Sequence, residues 1–452
     1  MLRHAKIAGL SAALSLGACA TAPPIDQGLS GFLAGRAANA PSLIADQLAP
    51  ISGPDTEIPL VGAMDDIAVA GWAVRRSPEL AVMRAQLGVG AAQAFASGLL
   101  PDPQLQLSLD HPTNVSAFDA LTGGLSFDLL GALVNHPNTM DRVRAEQERI
   151  RQELAWTEWT IAMQARDAAI RTVHLRQQLA IAVQAVRDTE GRLRVYEAAV
   201  SNGDARLDDL ALRRVAYLDA LDRRGTIERD LAVAESQVRA FIGLAPDAVL
   251  GLAANVSLKS SGDLDPQVLF ARTLASREDL AALRSSYDAN EASLRFARIA
   301  AFPLPGLSLS RARDTSNVRT TGLGINLTLP LWNRGQGEIV VVEATRIELQ
   351  ANYNARVFQA RSDIALQIQT IRQLAAQRDA LSQEVARLTL EADTLRIAAE
   401  RGDVSLLVYE TARSSLLDKR LGAVGLSALQ AQAEAALEGV VGGLIFSPGD
   451  SR

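Results

Sequence analysis

The chain has 452 residues, of which 48% are hydrophobic and 4% aromatic, and it carries a net charge of -6. Charges of both signs are interspersed, and this mildly acidic balance excludes the basic surface typical of nucleic-acid-binding proteins, so no nucleic-acid partner is expected. The single cysteine excludes a fold held together by disulfide bonds within the chain.

The first residues are typical of a bacterial secretion signal. Basic residues are followed by an apolar run, and Gly17 and Ala18 precede the cysteine, Cys19. This order resembles the lipobox of bacterial lipoproteins, in which the cysteine becomes the lipid-bearing first residue of the mature protein. An ordinary signal peptide followed by a stray cysteine is the alternative. We predict a signal peptide over residues 1–18, a covalent lipid on Cys19 and no other cofactor, and Ala20 after the cysteine favours delivery to the outer membrane.

Residues 19–60 are rich in proline, glycine, alanine and serine, which predicts an extended linker between the lipid and the folded body. A helix is expected next, over residues 65–98. It should bend or break at Ser77-Pro78, because the residue before a proline avoids helical backbone angles.

Two segments then alternate between apolar and polar residues, which is the pattern of a strand with one apolar face. The first contains strands near residues 105–109 and 125–129, and the second contains strands near 307–310 and 323–329. We predict two hairpins, whose strands of ~10 residues match the length of an outer-membrane strand. The polar face would line an aqueous lumen with Gln104, Gln106, Ser108, Ser126, Asp128, Asn326 and Thr328.

Four strands alone cannot close a barrel. In lipid, an open sheet edge leaves backbone groups without hydrogen-bond partners, so membrane strands would have to be shared among chains. Three chains would give a barrel of about twelve strands, within the usual size range. The alternative is a small soluble sheet that buries its leucines and phenylalanines against helices.

Long helices are predicted after both hairpins. Residues 338–401 contain neither glycine nor proline, and apolar residues recur at heptad spacing, as at Ile364 and Ile371, which is the pattern of coiled-coil helices. At 1.5 Å per residue this rod would be roughly 95 Å long. A similar seam starts after Pro137, whereas residues 131–140 favour a loose connector.

The two halves of the chain resemble each other at a displacement of about 200 residues, which indicates an internal duplication. Gly124 and Gly324 occupy the same place in the two hairpins, and Gly203 and Gly402 occupy the same place in two helix turns. The predicted domains are a first repeat over 61–250, a second over 251–446 and a tail over 447–452, with the repeats forming one intertwined body.

Four shorter helices are expected to stack in pairs along the two long ones. Their lengths predict that helices over 206–241 and 266–300 lie end to end along the first long helix. Helices over 405–444 and 65–98 would do the same along the second.

The second hairpin leads into its long helix through Leu-Pro-Leu-Trp-Asn-Arg-Gly-Gln-Gly, which begins at Leu329. Together with the lipobox and the duplicated plan, this sequence resembles the TolC family of outer-membrane efflux channels, in a form similar to the branch serving metal-cation and other RND-type systems. The resemblance implies a swivel between barrel and helix, formed by Pro330, Trp332, Asn333, Arg334 and Gly335. The first half departs from the pattern, because no proline follows Leu129.

The resemblance also implies a mainly α fold with a membrane β-barrel. Each chain would supply four strands and long coiled-coil helices to a homotrimer, whose barrel continues into an α-helical tunnel through the periplasm. It implies contact with outer-membrane lipid, docking to a periplasmic adaptor and an inner-membrane pump, and passive export without catalysis. The main alternative is a lipid-anchored periplasmic adaptor or coiled-coil scaffold, although adaptors usually have one hairpin and this chain has two.

The turns at the far ends of the long helices are the candidate functional sites. A ring of carboxylates from several chains would attract cations and restrict the pore. The residues predicted to contact partners or to gate the pore are Gly203, Asp204, Asp208, Asp209, Gly402, Asp403 and Ser405. The alternative for Asp204, Asp403 and Ser405 is helix capping alone.

Neither a metal site nor an enzyme site is expected. His111, His136, Met140 and His174 lack the close spacing of metal-binding motifs. The sequence also contains no nucleophile elbow and no phosphate-binding loop.

Overall fold

The computed structural model describes residues 64–113, 118–127, 129–256, 258, 264–327, 329 and 331–446, with only the backbone of residues 129 and 130. Cys19, Asp128, Thr328 and Pro330 lie outside this part of the chain, as do the predicted signal peptide, linker and tail. The helices are α1 (Asp66–Arg76), α2 (Pro78–Gly98), α3 (Leu129–Ser201), α4 (Leu207–Phe241), α5 (Pro266–Ser276), α6 (Glu278–Ala300), α7 (Gln336–Arg401) and α8 (Leu406–Val441). The strands are β1 (Gln104–Asp110), β2 (Ala120–Phe127), β3 (Pro305–Arg313) and β4 (Arg319–Leu327). Over the described residues the fold is mainly α with four strands, as predicted.

The predicted break at Ser77 is confirmed, since it separates α1 from α2. The second repeat has the same break at Arg277, so the prediction of one continuous helix over 266–300 is wrong. Arg277 adopts an extended backbone conformation, and its guanidinium holds Asp279 at 2.6 Å. The hydroxyl of Ser276 donates to the carbonyl of Val441 at 2.7 Å, so the joint is fixed by the end of α8.

The first long helix is longer than predicted. The loose connector expected over 131–140 is instead helical, because α3 already begins at Leu129 and continues through Pro137. Tertiary packing explains this, since α2 packs against α3, and a methyl group added at Gly98 would lie 3.4 Å from Met140 and 3.5 Å from Val143. The contact with α2 compensates for the hydrogen bond that the proline cannot donate.

The heptad seam of α7 is confirmed. Ile364, Ile368 and Ile371 are 2% exposed or less and pack against Leu437 of α8. With 66 residues, α7 is about 100 Å long at 1.5 Å per residue.

The short helices stack along the long ones, but not in the predicted pairs. Both α6 and α8 pack against α3 and α7, whereas α2 and α4 pack mainly against α3. Thus α6 continues in line with α8, and α2 with α4. Helix length could not distinguish these pairings, because the four short segments are of similar length.

A hydrophobic core surrounds α1 at the middle of the long helices. Trp72 and Val69 of α1 pack against Ile161 and Ala165 of α3. Beside this core, the buried Arg166 forms ion pairs with Asp66 of α1, at 2.6 Å, and with Glu438 of α8. Glu438 also accepts hydrogen bonds from the backbone of residues 445 and 446. One arginine therefore joins the start of the first repeat to the end of the second.

Candidate functional site

The four strands form one antiparallel sheet in the order β1-β2-β3-β4, so the two hairpins of the repeat lie side by side. The register places Leu105, Leu125, Leu309 and Leu323 in one row across the sheet. Leu107 is 70% and Leu323 78% exposed. The interpretation as a small soluble sheet that buries its leucines against helices is therefore wrong.

The opposite face of the sheet is polar, as predicted. Gln104 pairs with Ser126, and Ser308 with Gly324, in the alternate rows. Small residues dominate this face, and a side chain at position 324 would meet the Ser308 hydroxyl. The described positions predicted for this face are Gln104, Gln106, Ser108, Ser126 and Asn326, and alternation places all of them on it.

The connection from β4 to α7 is a tight irregular turn. Arg334 and Gly335 both have positive φ, 49° and 69°. Asn333 closes the turn, because its carbonyl accepts from the N–H of Gln336 at 2.9 Å. Trp332 is 96% exposed, so the swivel does not bury it within the chain.

The turns at the far ends of α3 and α7 have the same backbone geometry. Gly203 and Gly402 are left-handed, at φ 82° and 81°. In each turn the following N–H donates back across the helix end, from Asp204 to Ala199 and from Asp403 to Ala398, both at 2.9 Å. This is the hydrogen-bond pattern of a glycine-terminated helix.

Asp204, Asp403 and Ser405 make no side-chain capping hydrogen bond in the structure, although Ser405 occupies the N-cap position of α8. The residue that precedes α4 is Arg206 rather than Asp204, and the hydroxyl of Ser405 makes no capping hydrogen bond to α8. Asp403 lies outside the capping position. Side-chain capping within the chain therefore does not explain why these residues are present at the tips.

The two other tip acids differ from each other. Arg206 holds Asp208 through two hydrogen bonds of 2.9 and 2.6 Å. This guanidinium keeps the pKa of the Asp208 carboxyl below its ordinary value. Asp209 forms no ion pair among the described residues, and its backbone N–H donates to the Asp208 carboxylate at 3.1 Å.

Ion pairs that the sequence did not reveal connect the two helical hairpins above the tips. Arg213 of α4 lies 3.4 Å from Glu410 of α8, and Arg223 of α4 pairs with Asp418 of α8. Arg192 of α3 donates to the hydroxyl of Tyr409 at 3.0 Å. The partners are about 200 residues apart, so no local spacing could have indicated them.

The histidines are not brought together. His111 Nδ1 lies 2.5 Å from a carboxylate oxygen of Asp119, and the ring of buried His174 bonds to the carbonyl of Ile170. Burial lowers the pKa of His174. In the described part of the chain, His, Asp and Glu form no group of three or more that could hold a metal ion.

None of the helices in the described ranges has a stretch both long and apolar enough to cross a lipid bilayer.

Residues 269–443, which include α7 and α8, match the family model described as outer membrane efflux protein. This match covers most of the second repeat and less than half of the chain. It agrees with the TolC resemblance carried by the swivel sequence and the repeated hairpins.

Known outer-membrane proteins have a similar sequence or a similar fold. The pyoverdine export outer membrane protein OpmQ of Pseudomonas putida is 24% identical over 398 residues, which cover 84% of this chain and 83% of OpmQ. The structure of CusC has a TM-score of 0.71 at 17% identity and covers 89% of this chain and 97% of its own. The Campylobacter jejuni CmeC outer membrane channel has a TM-score of 0.70 at 16% identity, covering 89% and 93%.

This chain thus shares its fold with solved outer-membrane channels. The alternative of a periplasmic adaptor with one helical hairpin accounts neither for the second helical hairpin nor for the four-stranded sheet.

Proposed function

We propose that three copies of this chain form the outer-membrane duct of a tripartite efflux system, which conducts solutes passively and catalyses no reaction. The observation that carries the proposal is the sheet, in which β1 and β4 each have one free edge and the leucine-rich face is exposed. In lipid a sheet persists only when its edges are closed. Pairing β4 of one copy with β1 of the next would close it, at a size usual for such barrels.

The helical repeat supports a matching closure of the helices. Aligning α3 and α7 on Gly203 and Gly402 makes Trp159 equivalent to Phe358. Trp159 is 4% exposed, and its indole donates to the carbonyl of Gly439 in α8 at 3.1 Å. Phe358 is 72% exposed. The same contrast of buried on α3 and exposed on α7 holds for Ala155 and Asn354, Ala162 and Arg361, Arg166 and Ala365, and Ile170 and Gln369.

Helices α4 and α8 also differ in burial at equivalent positions, with the buried residue on α8 and the exposed one on α4. Ala435 of α8 is buried against Ile170 of α3. Aligning the two helices on the left-handed glycines that follow them, Gly243 and Gly442, makes Ser236 of α4 its equivalent, and Ser236 is exposed. We therefore infer that α7 of one copy packs on α4 of the next, as α3 packs on α8 within the chain.

The helix tips are the surface that we assign to the periplasmic adaptor and, through it, to the inner-membrane pump. Exposed apolar residues stand beside the tip acids, with Leu207 at the start of α4 and Leu407 and Val408 at the start of α8. Apolar residues flanked by charges suit docking of another helical tip. The same acids form the proposed gate.

Two further features belong to the proposal. A lipid on Cys19 would add membrane affinity to that of the strands. Solute choice is assigned to the pump, because most groups on the polar strand face are small or uncharged. The relative named for pyoverdine export is compatible with a duct of this kind.

The proposal is tested by two measurements on the purified full-length protein. We expect a heat-sensitive trimer in gel electrophoresis and discrete conductance steps in a planar bilayer. A monomer that leaves bilayers sealed would contradict the duct. For the gate, replacing Asp204, Asp208, Asp209 and Asp403 by Ala should raise conductance, and unchanged conductance would remove the gate role.

A further inference from the structure

The apolar face of the sheet changes character along its length. Arg311 and Arg313 follow Leu309 on this face of β3, and the register pairs Arg313 directly with Arg319 of β4. Arg311 and Arg319 are exposed, and Arg313 is half-buried. We call these three residues the arginine rim. It lies at the end of the strands that is farthest from the helices.

The other end of the same face has no charge. Phe127, Leu307 and Ile325 share a row near the helices. An arginine facing lipid costs about 2–4 kcal/mol at the middle of a bilayer but only about 0–1 kcal/mol near its surface. The arginine rim therefore fits the level of lipid headgroups and not that of the acyl chains.

Carboxylates near the arginine rim are engaged elsewhere. Asp119 binds His111 at 2.5 Å. Asp314 accepts the backbone N–H groups of residues 316 and 318 at 2.9 and 2.8 Å, and alternation turns Asp110 to the polar face. Among the described residues, none of the three rim arginines has a carboxylate partner.

The positive charge of the arginine rim is therefore not neutralised by a carboxylate of the described residues. Like charges directly opposite each other on neighbouring strands destabilise a sheet. Arg313 donates to the carbonyl of Asp119 at 3.1 Å, but its Nε is buried and has no hydrogen-bond partner. Guanidinium groups bind phosphate through paired, charge-assisted hydrogen bonds.

We propose that Arg311, Arg313 and Arg319 bind the phosphate groups of a lipid headgroup in the outer leaflet. This inference rests on the proposed function, since it requires the sheet to lie in the outer membrane with its turns outward. Binding would neutralise the facing arginines and fix the depth of the strands in the bilayer.

The experiment uses the full-length channel in nanodiscs of phosphatidylcholine. The discs contain either an acylated glucosamine disaccharide with two phosphates or the same disaccharide without phosphate. Native mass spectrometry measures the lipid retained by each trimer, and the temperature of trimer dissociation is measured in parallel. We expect the wild type to retain the phosphorylated lipid and to gain stability from it alone.

The variant Arg311→Gln/Arg319→Gln should bind this lipid roughly tenfold more weakly. The matched control, Arg387→Gln/Arg396→Gln, removes two exposed arginines from the helical body and should bind like the wild type. Arg311→Lys/Arg319→Lys keeps the charge and should retain lipid better than the Gln variant.

Equal retention of both disaccharides by the wild type would overturn the inference, whether or not any variant folds. Equal lipid binding by the Gln variant and the control variant would also overturn it, because the arginines would then be solvated and would not bind the lipid phosphates. Wild-type conductance in the same lipids separates this failure from failure of the proposed duct.

Discussion

The residue with the tightest steric requirement is Gly335, at the turn from β4 into α7. A methyl group there would lie 3.0 Å from the Cβ of Ala301 and 3.3 Å from its Cα. Gly402 has a similar left-handed backbone, but a methyl group there meets nothing within 4 Å.

We therefore expect Gly335→Ala to lower channel stability more than Gly402→Ala. Both variants bear the left-handed penalty of about 1–2 kcal/mol, and only Gly335→Ala also forces α6 and α7 apart. The temperature of trimer dissociation compares them. Equal losses would show that the contact with Ala301 imposes no constraint.

A second prediction for a single residue concerns His174 and the dependence of folding stability on pH. Burial lowers its folded-state pKa below the ordinary 6.5, so the unfolded chain takes up a proton first as the pH falls. The contribution to stability is present above about pH 6.5 and is lost progressively below it. We expect His174→Gln to reduce the loss of thermal stability between neutral and mildly acidic pH. The exposed His111→Gln is the control, and an identical pH profile for both variants would contradict the prediction.

At the level of the element, the two faces of β1 should respond oppositely to charge. Leu107→Lys places an ammonium group on the lipid face, where it costs about 2–4 kcal/mol at mid-depth, whereas Gln106→Lys places it in the lumen. We expect Leu107→Lys to lower the yield of inserted trimer and Gln106→Lys to preserve it while changing conductance. The membrane fraction and single-channel recordings measure these effects. Equal insertion of both would contradict the face assignment.

The ion pairs between the helical hairpins are expected to hold the tip in its present form. Glu410→Gln combined with Asp418→Asn would break the pairs with Arg213 and Arg223. An exposed pair such as that of Asp418 contributes about 0.2–1 kcal/mol, and the pair of Glu410 is more buried, so the population of open channels should rise several-fold. Conductance at fixed voltage measures this.

The control for that variant keeps the same change of charge. Glu384→Gln with Glu400→Gln breaks two pairs within one helix, with Arg387 and Arg396. The control should conduct like the wild type. A rise in both variants would assign the effect to net charge alone.

At the level of the whole molecule, the exposed face of α7 should decide assembly. Phe358→Asp puts a charge at the position equivalent to buried Trp159, so we expect it to abolish the trimer. Leu366→Asp is the matched control, because Leu366 is exposed and its equivalent on α3 is the exposed aspartate Asp167. Gel migration and analytical ultracentrifugation measure the oligomer. Loss of the trimer in both variants, or in neither, would contradict the proposed contact.

Local sequence patterns predict much of this architecture. Alternation specifies the strands and their two faces, and heptad spacing with an absence of glycine and proline specifies α7, because periodicity depends only on neighbours along the chain. The positive φ of Gly203 and Gly402 follows from the lack of a side chain at a helix end. The family resemblance likewise rests on a short contiguous sequence at the swivel.

The tertiary structure alone decided what depends on distant partners. The break at Arg277 requires the end of α8, and the helical state of residues 131–140 requires α2 against α3. The end-to-end stacking of α6 with α8 depends on which long helices each of them packs against. The lengths of the helices do not predict these contacts. The ion pairs of Glu410 and Asp418, and the burial of the Arg313 Nε without a hydrogen-bond partner, depend on residues brought together from separate parts of the chain, so they appear only when the chain is folded.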